Sequence, residues 1–323
     1  MAMPNENRAT VSGEAPGAMR VEIPAVNVRA ALRDAMARMS EVEVPSHALS
    51  AELLLMHVLD CDRAWLYAHP EAPLGTEDAR RYFELVEQRA AGTPTQYLTG
   101  KQEFWGLEFE VTPAVLIPRP ETEHIIEVAM ERLGKERVNA PLRIADIGTG
   151  SGCIAVALAH EFHHADIFAT DISAAALAVA SRNAARHGVA ERIQFLECNL
   201  LDAVAQETRG AGDDARHFDL IVSNPPYVAR DEEEQLQREV REHEPHEALF
   251  CGASGTEIYA PLMAQAAGYL RAGGLLVVEI GYGQVERVRA LVNVSPTASP
   301  AWSGVRVTND LAGIPRVFST ERM

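Results

Sequence analysis

The chain has 323 residues, of which 47% are hydrophobic and 23% charged, and its formal net charge is −17. This composition is typical of a globular protein with room for two domains, and no apolar run approaches the about 20 residues that a membrane span needs. The acidity argues against a protein that holds naked nucleic acid, because such proteins normally carry a basic surface, and it favours a basic protein partner.

The first 22 residues contain no apolar signal-peptide core, so we expect a disordered N-terminus in a cytoplasmic protein. The four cysteines show neither CxxC spacing nor a disulfide framework, which indicates reduced thiols. Residues 23–95 follow as a predicted helical domain, because apolar residues recur at helical spacing over 27–39, 48–59 and 76–90. No catalytic cluster stands out there, so we expect this domain to dock or brace a substrate.

Residues 96–123 are predicted to form a linker that makes one wall of a site. Apolar and polar residues alternate around Trp105-Gly106, which predicts a β-hairpin. Pro120 can then open a helix at its first turn.

Strand–helix repeats predict the main domain over residues 124–323. Strands are expected at 143–147, 166–170, 192–197, 218–223 and 275–280, and helices at 151–161, 174–187, 256–271 and 284–292. Two further strands, at 304–308 and 315–319, are joined by a short turn and should pair antiparallel. The predicted fold class is therefore α/β, a Rossmann-like doubly wound sheet with a terminal hairpin, behind a small helical domain. This arrangement resembles the class I methyltransferases.

A glycine-rich loop follows the first of these strands and opens the first helix. Glycines let a ligand approach the backbone, and a helix N-terminus presents free N–H groups. The residues predicted to bind a cofactor on this loop are Gly148, Thr149, Gly150, Ser151 and Gly152. Asp146 precedes the turn, where a ligand amine can be held, and Asp171 ends the second strand, where a carboxylate can accept both ribose hydroxyls. A dinucleotide-binding fold also fits this spacing, but Cys153 stands at the third glycine of GxGxxG.

The third strand ends at Asn199 and Leu200. Asn199 can hydrogen-bond an adenine edge and Leu200 can pack on its face, although a plain core position also accounts for Leu200.

The strand at 218–223 stops at Asn224-Pro-Pro-Tyr227. Pro225 and Pro226 end the hydrogen-bond ladder and stiffen the turn at the carboxyl end of the strand, where open α/β sheets bind ligands. The Asn224 side-chain oxygen and the Pro225 carbonyl can each accept one N–H of a planar NH₂ group, and both would stabilise positive charge as its nitrogen attacks an electrophile. Tyr227 offers a flat surface for that group. An ordinary turn is the alternative, since Asn-Pro is itself a turn former.

Two acidic or histidine-rich stretches can be mistaken for metal sites. His160 to His164 satisfies the HExxH pattern, but it falls at the tail of a predicted helix and no third ligand follows. The acidic run from Asp231 to Glu234 is more typical of a solvated helix start. We therefore expect no metal.

These features together resemble the protein glutamine N5-methyltransferases, and in particular the release-factor family, PrmC/HemK, over about residues 25–320. The matching motifs are Gln96 to Gly100, Phe104, Gly106, Ile117 to Glu123, Asp146 to Gly152, Asn224 to Tyr227, Glu244-Pro245, Glu279 to Gly281 and Asp310 to Arg316.

The resemblance implies an enzyme of translation termination that uses S-adenosyl-L-methionine, leaves S-adenosyl-L-homocysteine, and methylates the glutamine of the Gly-Gly-Gln motif in peptide chain release factors. By analogy, residues 148–152 line the cofactor, Asp171 holds its ribose, and Asn199 and Leu200 flank adenine. Residues 224–227 grip the glutamine amide, with Asn224 bordering both ligands. The family more often has aspartate at position 199 and an aromatic residue at position 200.

Three alternatives remain open at this point. A ribosomal-protein glutamine methyltransferase shares the Asn224–Tyr227 motif, but the ending from Asp310 to Arg316 is associated with the release-factor group. A DNA or RNA amino-methyltransferase uses the same chemistry on a flipped base, and the net acidity disfavours it. A non-enzymatic cofactor-binding module is disfavoured by the intact tetrapeptide.

Overall fold

The computed structural model describes residues 26–134, 137–204, 217–292 and 301–323. The N-terminal segment 1–22, predicted to be disordered, lies outside these residues. All four cysteines are free thiols. Across the described ranges, no helix combines the length and the apolar character that crossing a bilayer requires.

A helical domain comes first. Its helices are α1 (Val28–Glu41), α2 (His47–Leu59), α3 (Arg63–Ala68) and α4 (Thr76–Ala90). They bury a common apolar core, in which the Tyr82 hydroxyl donates to the Ala51 carbonyl over 3.1 Å. The sequence did not predict α3, because six residues are too few to show helical periodicity. Its start is fixed by Asp62, whose side chain accepts from the backbone N–H of Trp65.

The linker joins this bundle to the main sheet. Its elements are α5 (Thr95–Thr99), β1 (Lys101–Phe104), β2 (Leu107–Glu110) and α6 (Glu123–Leu133). The two strands form the predicted hairpin, with Phe104 opposite Leu107. Trp105 and Gly106 both have positive φ at the turn, which matches the twist of a tight hairpin. Phe104 and Phe109 are buried in the core of the main sheet, so the hairpin is fixed to it.

The main sheet has seven strands in the order β5-β4-β3-β6-β7-β9-β8. They are β3 (Arg143–Ile147), β4 (Asp166–Asp171), β5 (Ile193–Glu197), β6 (Phe218–Ser223), β7 (Leu270–Glu279), β8 (Trp302–Asn309) and β9 (Pro315–Arg322). Strands β3 to β7 run parallel, and the β8–β9 hairpin is antiparallel to β7. The predicted fold class is therefore confirmed.

Further α-helices around the sheet are α7 (Cys153–Glu161), α8 (Ala174–Arg186), α9 (Arg238–His243), α10 (His246–Leu249), α11 (Tyr259–Tyr269) and α12 (Val285–Val292). Separate apolar cores cover the two faces of the sheet. The strand order reverses between β3 and β6, and at such a switch point the loops after the two strands open a crevice. The glycine loop follows β3 and Asn224 follows β6, so both motifs lie at this crevice.

Candidate active site

A cleft opens at the carboxyl edge of the sheet, at the switch point. Ten of the predicted site residues line it, namely Gly148, Thr149, Gly150, Ser151, Asp171, Asn199, Leu200, Asn224, Pro225 and Pro226. The linker supplies another wall through Pro118, Arg119 and Thr122, as the sequence predicted. Three predicted residues, Asp146, Gly152 and Tyr227, are not part of the lining.

The glycine loop is tied to the end of β4 by backbone hydrogen bonds. The N–H groups of Gly148 and Thr149 both donate to the Thr170 carbonyl, over 2.8 and 2.9 Å. The Asp171 carboxylate accepts from the Gly150 N–H through Oδ2 and from the Ser173 N–H through Oδ1, each over 2.9 Å. Each oxygen keeps a further lone pair for a ligand hydroxyl. Burial raises the pKa of Asp171 above its ordinary value.

Gly152 serves the packing of the loop. Its φ is +80°, and a Cβ there would lie 3.0 Å from the Ala180 Cβ and 3.1 Å from the Ala180 Cα on α8. Only a residue without a side chain lets α7 start this close to α8.

We expect Gly152→Ala to lower the free energy of unfolding by roughly 2–4 kcal/mol, through the left-handed backbone and the clash together. Thermal denaturation should show a melting temperature about 5 to 10 °C lower. Gly188→Ala is the matched control, since Gly188 also has positive φ, +69°, but an added Cβ meets nothing within 4 Å. Equal losses in the two variants would contradict the packing role.

Asp146 lies fully buried beneath the glycine loop. Its Oδ2 accepts a hydrogen bond from the Thr149 hydroxyl over 2.6 Å, whereas Oδ1 has no partner within the described residues. Desolvation by burial raises the pKa of Asp146 to about 7. An ionised carboxylate with an unpaired oxygen is costly in such a place, and this cost favours the protonated form. Contact of Asp146 with a ligand amine stays a prediction.

The raised pKa makes stability depend on pH in a defined direction. The unfolded chain releases the Asp146 proton near pH 3.8 and the folded chain near pH 7. Below the unfolded pKa, the protonated form contributes its full stabilisation. This contribution is lost as pH rises through the folded pKa, and above that pKa stability no longer changes with the titration of this group.

Between pH 5 and pH 8 the free energy of unfolding of the wild type should fall by about 2 to 3 kcal/mol relative to that of Asp146→Asn. The variant has no proton to lose at this position, so this pH dependence is absent from it. Denaturant unfolding of both proteins, without added ligand, measures this difference. Other buried carboxyls titrate in both proteins, so the comparison isolates Asp146. A difference that does not change with pH would refute the raised pKa.

Leu200 and Asn199 reach the cleft from the end of β5. Leu200 is buried and adopts a left-handed backbone, with φ +49°, which is uncommon for a residue with a branched side chain. It belongs to the core and also lines the cleft, so the core interpretation is confirmed, whereas packing on adenine stays a prediction. Asn199 is exposed beside it.

The turn after β6 presents two free acceptors. The Ser223 hydroxyl donates to the Ile147 carbonyl over 2.8 Å, which ties the end of β6 to that of β3. The Asn224 amide donates through Nδ2 to the Thr122 hydroxyl over 3.1 Å. No described residue donates to the Asn224 Oδ1 or to the Pro225 carbonyl. Both residues line the cleft, so these two oxygens are the candidate acceptors for a ligand there.

Tyr227 is held away from the cleft lining. Its hydroxyl donates to the Glu279 Oε1 over 2.9 Å, and its carbonyl accepts from the Gln284 Nε2, also over 2.9 Å. Its ring packs against the core on that face of the sheet. Stacking of Tyr227 on a substrate stays a prediction.

Sequence reasoning gave no role to the residues that support this turn. Thr122 hydrogen-bonds to Asn224, Glu279 to Tyr227, and Gln284 to the Tyr227 carbonyl. In the wall of the cleft, buried Glu244 pairs with Arg119. For Glu279 a signal was present: an acidic residue ends the apolar strand β7, at the edge where ligands bind. Thr122 carried none, because its approach to Asn224 depends on tertiary packing across the chain.

The histidine pattern does not form one helical face. Helix α7 ends at Glu161, so His163 and His164 lie beyond it. Within the part of the chain that the structure describes, no three His, Cys, Asp or Glu side chains are grouped as metal ligands.

The switch-point cleft, the glycine loop and the terminal hairpin define a class I methyltransferase. Two family models match the chain, the PrmC N-terminal domain over residues 30–100 and the methyltransferase small domain over residues 127–244. A release factor glutamine methyltransferase from Koribacter versatilis is 42% identical over 90% of this chain and 97% of its own length. One from Chlorobaculum tepidum is 43% identical over 89% and 95%. The chain belongs to the release factor glutamine methyltransferase family, which confirms the resemblance seen in the sequence.

Solved structures agree on the fold. The catalytic domain of hMettl16, in complex with MAT2A 3′UTR hairpin 1, superposes with a TM-score of 0.51 at 15% identity, covering 76% of this chain and 81% of that one. At this level of identity the likeness concerns the fold alone.

Proposed function

We propose that this protein transfers a methyl group from S-adenosyl-L-methionine to the side-chain amide nitrogen of the glutamine in the Gly-Gly-Gln motif of peptide chain release factors. The observation that carries the proposal is the pair of free acceptors, Asn224 Oδ1 and the Pro225 carbonyl, at a cleft shared with the glycine loop. An NH₂ group has two hydrogens to donate, and these acceptors match them. The names of the relatives support the substrate.

The residues around the glycine loop suit this cofactor. Asp146 has a buried oxygen without a partner, and Asp171 keeps lone pairs facing the cleft. Asp146 and Asp171 would hold the amino group and the ribose hydroxyls, residues 148–152 would line the remaining surface, and Asn199 and Leu200 would flank adenine. When bound, S-adenosyl-L-methionine supplies an electrophilic methyl group on a positively charged sulfur. The acidic groups under the loop favour such a cation.

The turn at Asn224 would hold and polarise the substrate amide. Asn224 Oδ1 and the Pro225 carbonyl each accept one N–H and fix the nitrogen towards the methyl donor. The same two dipoles stabilise the positive charge that develops on the nitrogen during transfer. The amide nitrogen would release one proton to solvent as it gains the methyl group, leaving S-adenosyl-L-homocysteine. A strong base is unnecessary, because that proton becomes acidic only while the methyl group arrives. Pro226 keeps the turn rigid.

Docking of the release factor is assigned to the helical domain, with domain limits proposed at 23–95, 96–123 and 124–323. Arg89 of α4 is buried and pairs with Glu239 of α9 over 2.6 Å. Helix α9 leads directly into Glu244, which pairs with Arg119 at the cleft wall. A partner bound to the helices would thus be connected to the site by two ion pairs.

Mass spectrometry of a purified release factor, incubated with the protein and the cofactor, tests the proposal. We expect one added methyl group on the Gly-Gly-Gln peptide and none when its glutamine is replaced. Ribosomal proteins and duplex DNA, incubated in parallel, should stay unmodified. Methylation of either of these, with an unmodified release factor, would overturn the proposed substrate.

A further inference from the structure

Two hydrogen bonds connect Asn224 to a buried carboxylate on the neighbouring strand, and a third holds that carboxylate from its other side. The Asn224 Nδ2 donates to the Thr122 hydroxyl over 3.1 Å, and that hydroxyl donates to the Glu279 Oε2 over 2.7 Å. The other carboxylate oxygen, Oε1, accepts from the Tyr227 hydroxyl over 2.9 Å. Thr122 and Glu279 are 2% and 1% exposed, so water does not compete for these bonds.

The number of hydrogens that the Thr122 hydroxyl can donate determines which end of the Asn224 amide faces the cleft. A threonine hydroxyl has one hydrogen, and Thr122 gives it to Glu279. Towards Asn224 it presents only lone pairs, which accept from an NH₂ group and repel an amide oxygen. The Nδ2 end must therefore face Thr122, and Oδ1 must face away from it.

Burial raises the pKa of Glu279, while the hydroxyl donors on both sides and the nearby Arg316 favour its charged, accepting form. Each of its oxygens receives a hydroxyl hydrogen, from Thr122 and from Tyr227, and its position at the end of β7 is set by pairing with Val317 on β9. Without a carboxylate there, the Thr122 hydrogen could turn to Asn224 and the amide could turn over.

We propose that Thr122 and Glu279 are positioning residues that fix the Asn224 amide with Oδ1 towards the substrate, and that they thereby select an NH₂ donor over a carboxylate. This inference rests on the proposed function, because glutamine and glutamate differ at that position only in NH₂ against oxygen. A glutamate in the site would place its oxygens against the lone pairs of Asn224 Oδ1 and the Pro225 carbonyl. The order of hydrogen bonds therefore makes the site specific for the amide.

Thr122→Val tests the role, because it keeps the shape and removes the hydroxyl. We expect kcat for release-factor methylation to fall roughly 10- to 100-fold, while the Kd of the cofactor stays unchanged. Thr122→Ser restores the hydroxyl and should recover most of the turnover. Thr320→Val is the matched control: Thr320 is also buried, lies on β9 outside the cleft, and donates to the Ser303 carbonyl over 2.7 Å.

Selectivity between glutamine and glutamate distinguishes the positioning role from a simple loss of packing, which would weaken both substrates alike. Binding of two release-factor forms, with glutamine or glutamate in the motif, is measured for each variant by calorimetry. We expect the ratio of the two Kd values, glutamate form over glutamine form, to fall at least about 5-fold in Thr122→Val. The freed Asn224 amide can then turn Nδ2 towards a carboxylate. Thr122→Ala serves the same measurement if the valine variant does not fold.

The outcomes separate the two proposals. A wild-type protein that methylates no release factor would defeat the proposed function itself. A wild type that methylates it, together with a Thr122→Val variant that matches Thr320→Val in turnover and the wild type in selectivity, would overturn the positioning role alone.

Discussion

Asn224→Ala is expected to lower kcat for methyl transfer by about 100- to 1000-fold, the effect of removing one preorganised polar group that stabilises transition-state charge. The side chain lies at the cleft with an acceptor that no described residue occupies, so its loss removes one of two anchors for the substrate NH₂. The Pro225 carbonyl remains and keeps some activity. Single-turnover measurement with saturating cofactor and release factor isolates the chemical step.

The fold should tolerate this change, because Asn224 contributes no backbone pairing to the sheet beyond Ser223. The Kd of the cofactor and the melting temperature serve as controls and should stay close to those of the wild type. Turnover within a few fold of the wild type, with the cofactor bound normally, would show that Asn224 does not hold the reacting group.

The fold was predictable because its signals are local. Strands such as 143–147 and 218–223 are short apolar runs that end at glycine or proline, and the observed bounds of β3 and β6 are the same. The start of β7 at Leu270 was missed, because Leu270 pairs with Phe218 ahead of an irregularity in the register. Such an extension depends on pairing with the neighbouring strand, and residues 270–274 show no strand pattern in the sequence.

The candidate site was only partly predictable for the same reason. The rule that ligands bind at the carboxyl ends of parallel strands places Asp171, Asn199 and Asn224 together, and all three line the cleft. The rule does not predict hydrogen bonds between side chains that are far apart in the sequence. Thr122 and Asn224, which hydrogen-bond to each other, are separated by 102 positions. It also cannot show that the Tyr227 hydroxyl turns to Glu279, since that depends on the order of β6 and β7 in the sheet.

Asp171→Ala is expected to weaken cofactor binding about 100-fold, because two hydrogen bonds from ribose hydroxyls to a charged acceptor would be lost. The same carboxylate holds the Gly150 and Ser173 N–H groups, so the loop also loses part of its preorganisation. The cost should appear in the Kd and in the KM of the cofactor. Turnover at saturating cofactor should fall much less, since the proposed partner of Asp171 is the ribose and not the reacting methyl group. Titration calorimetry and initial rates over a range of cofactor concentrations separate these two quantities.

Asp166→Ala provides the control within the same strand. Asp166 begins β4, at the edge of the sheet opposite the cleft, and is exposed to solvent. Its replacement removes the same charge from the chain without touching the glycine loop, so cofactor affinity should not change. An equal weakening in both variants would mean that the overall negative charge attracts the cationic cofactor. A selective loss at position 171 instead assigns the effect to hydrogen bonds at the end of β4, which exist only because β4 stops there beside the loop that follows β3.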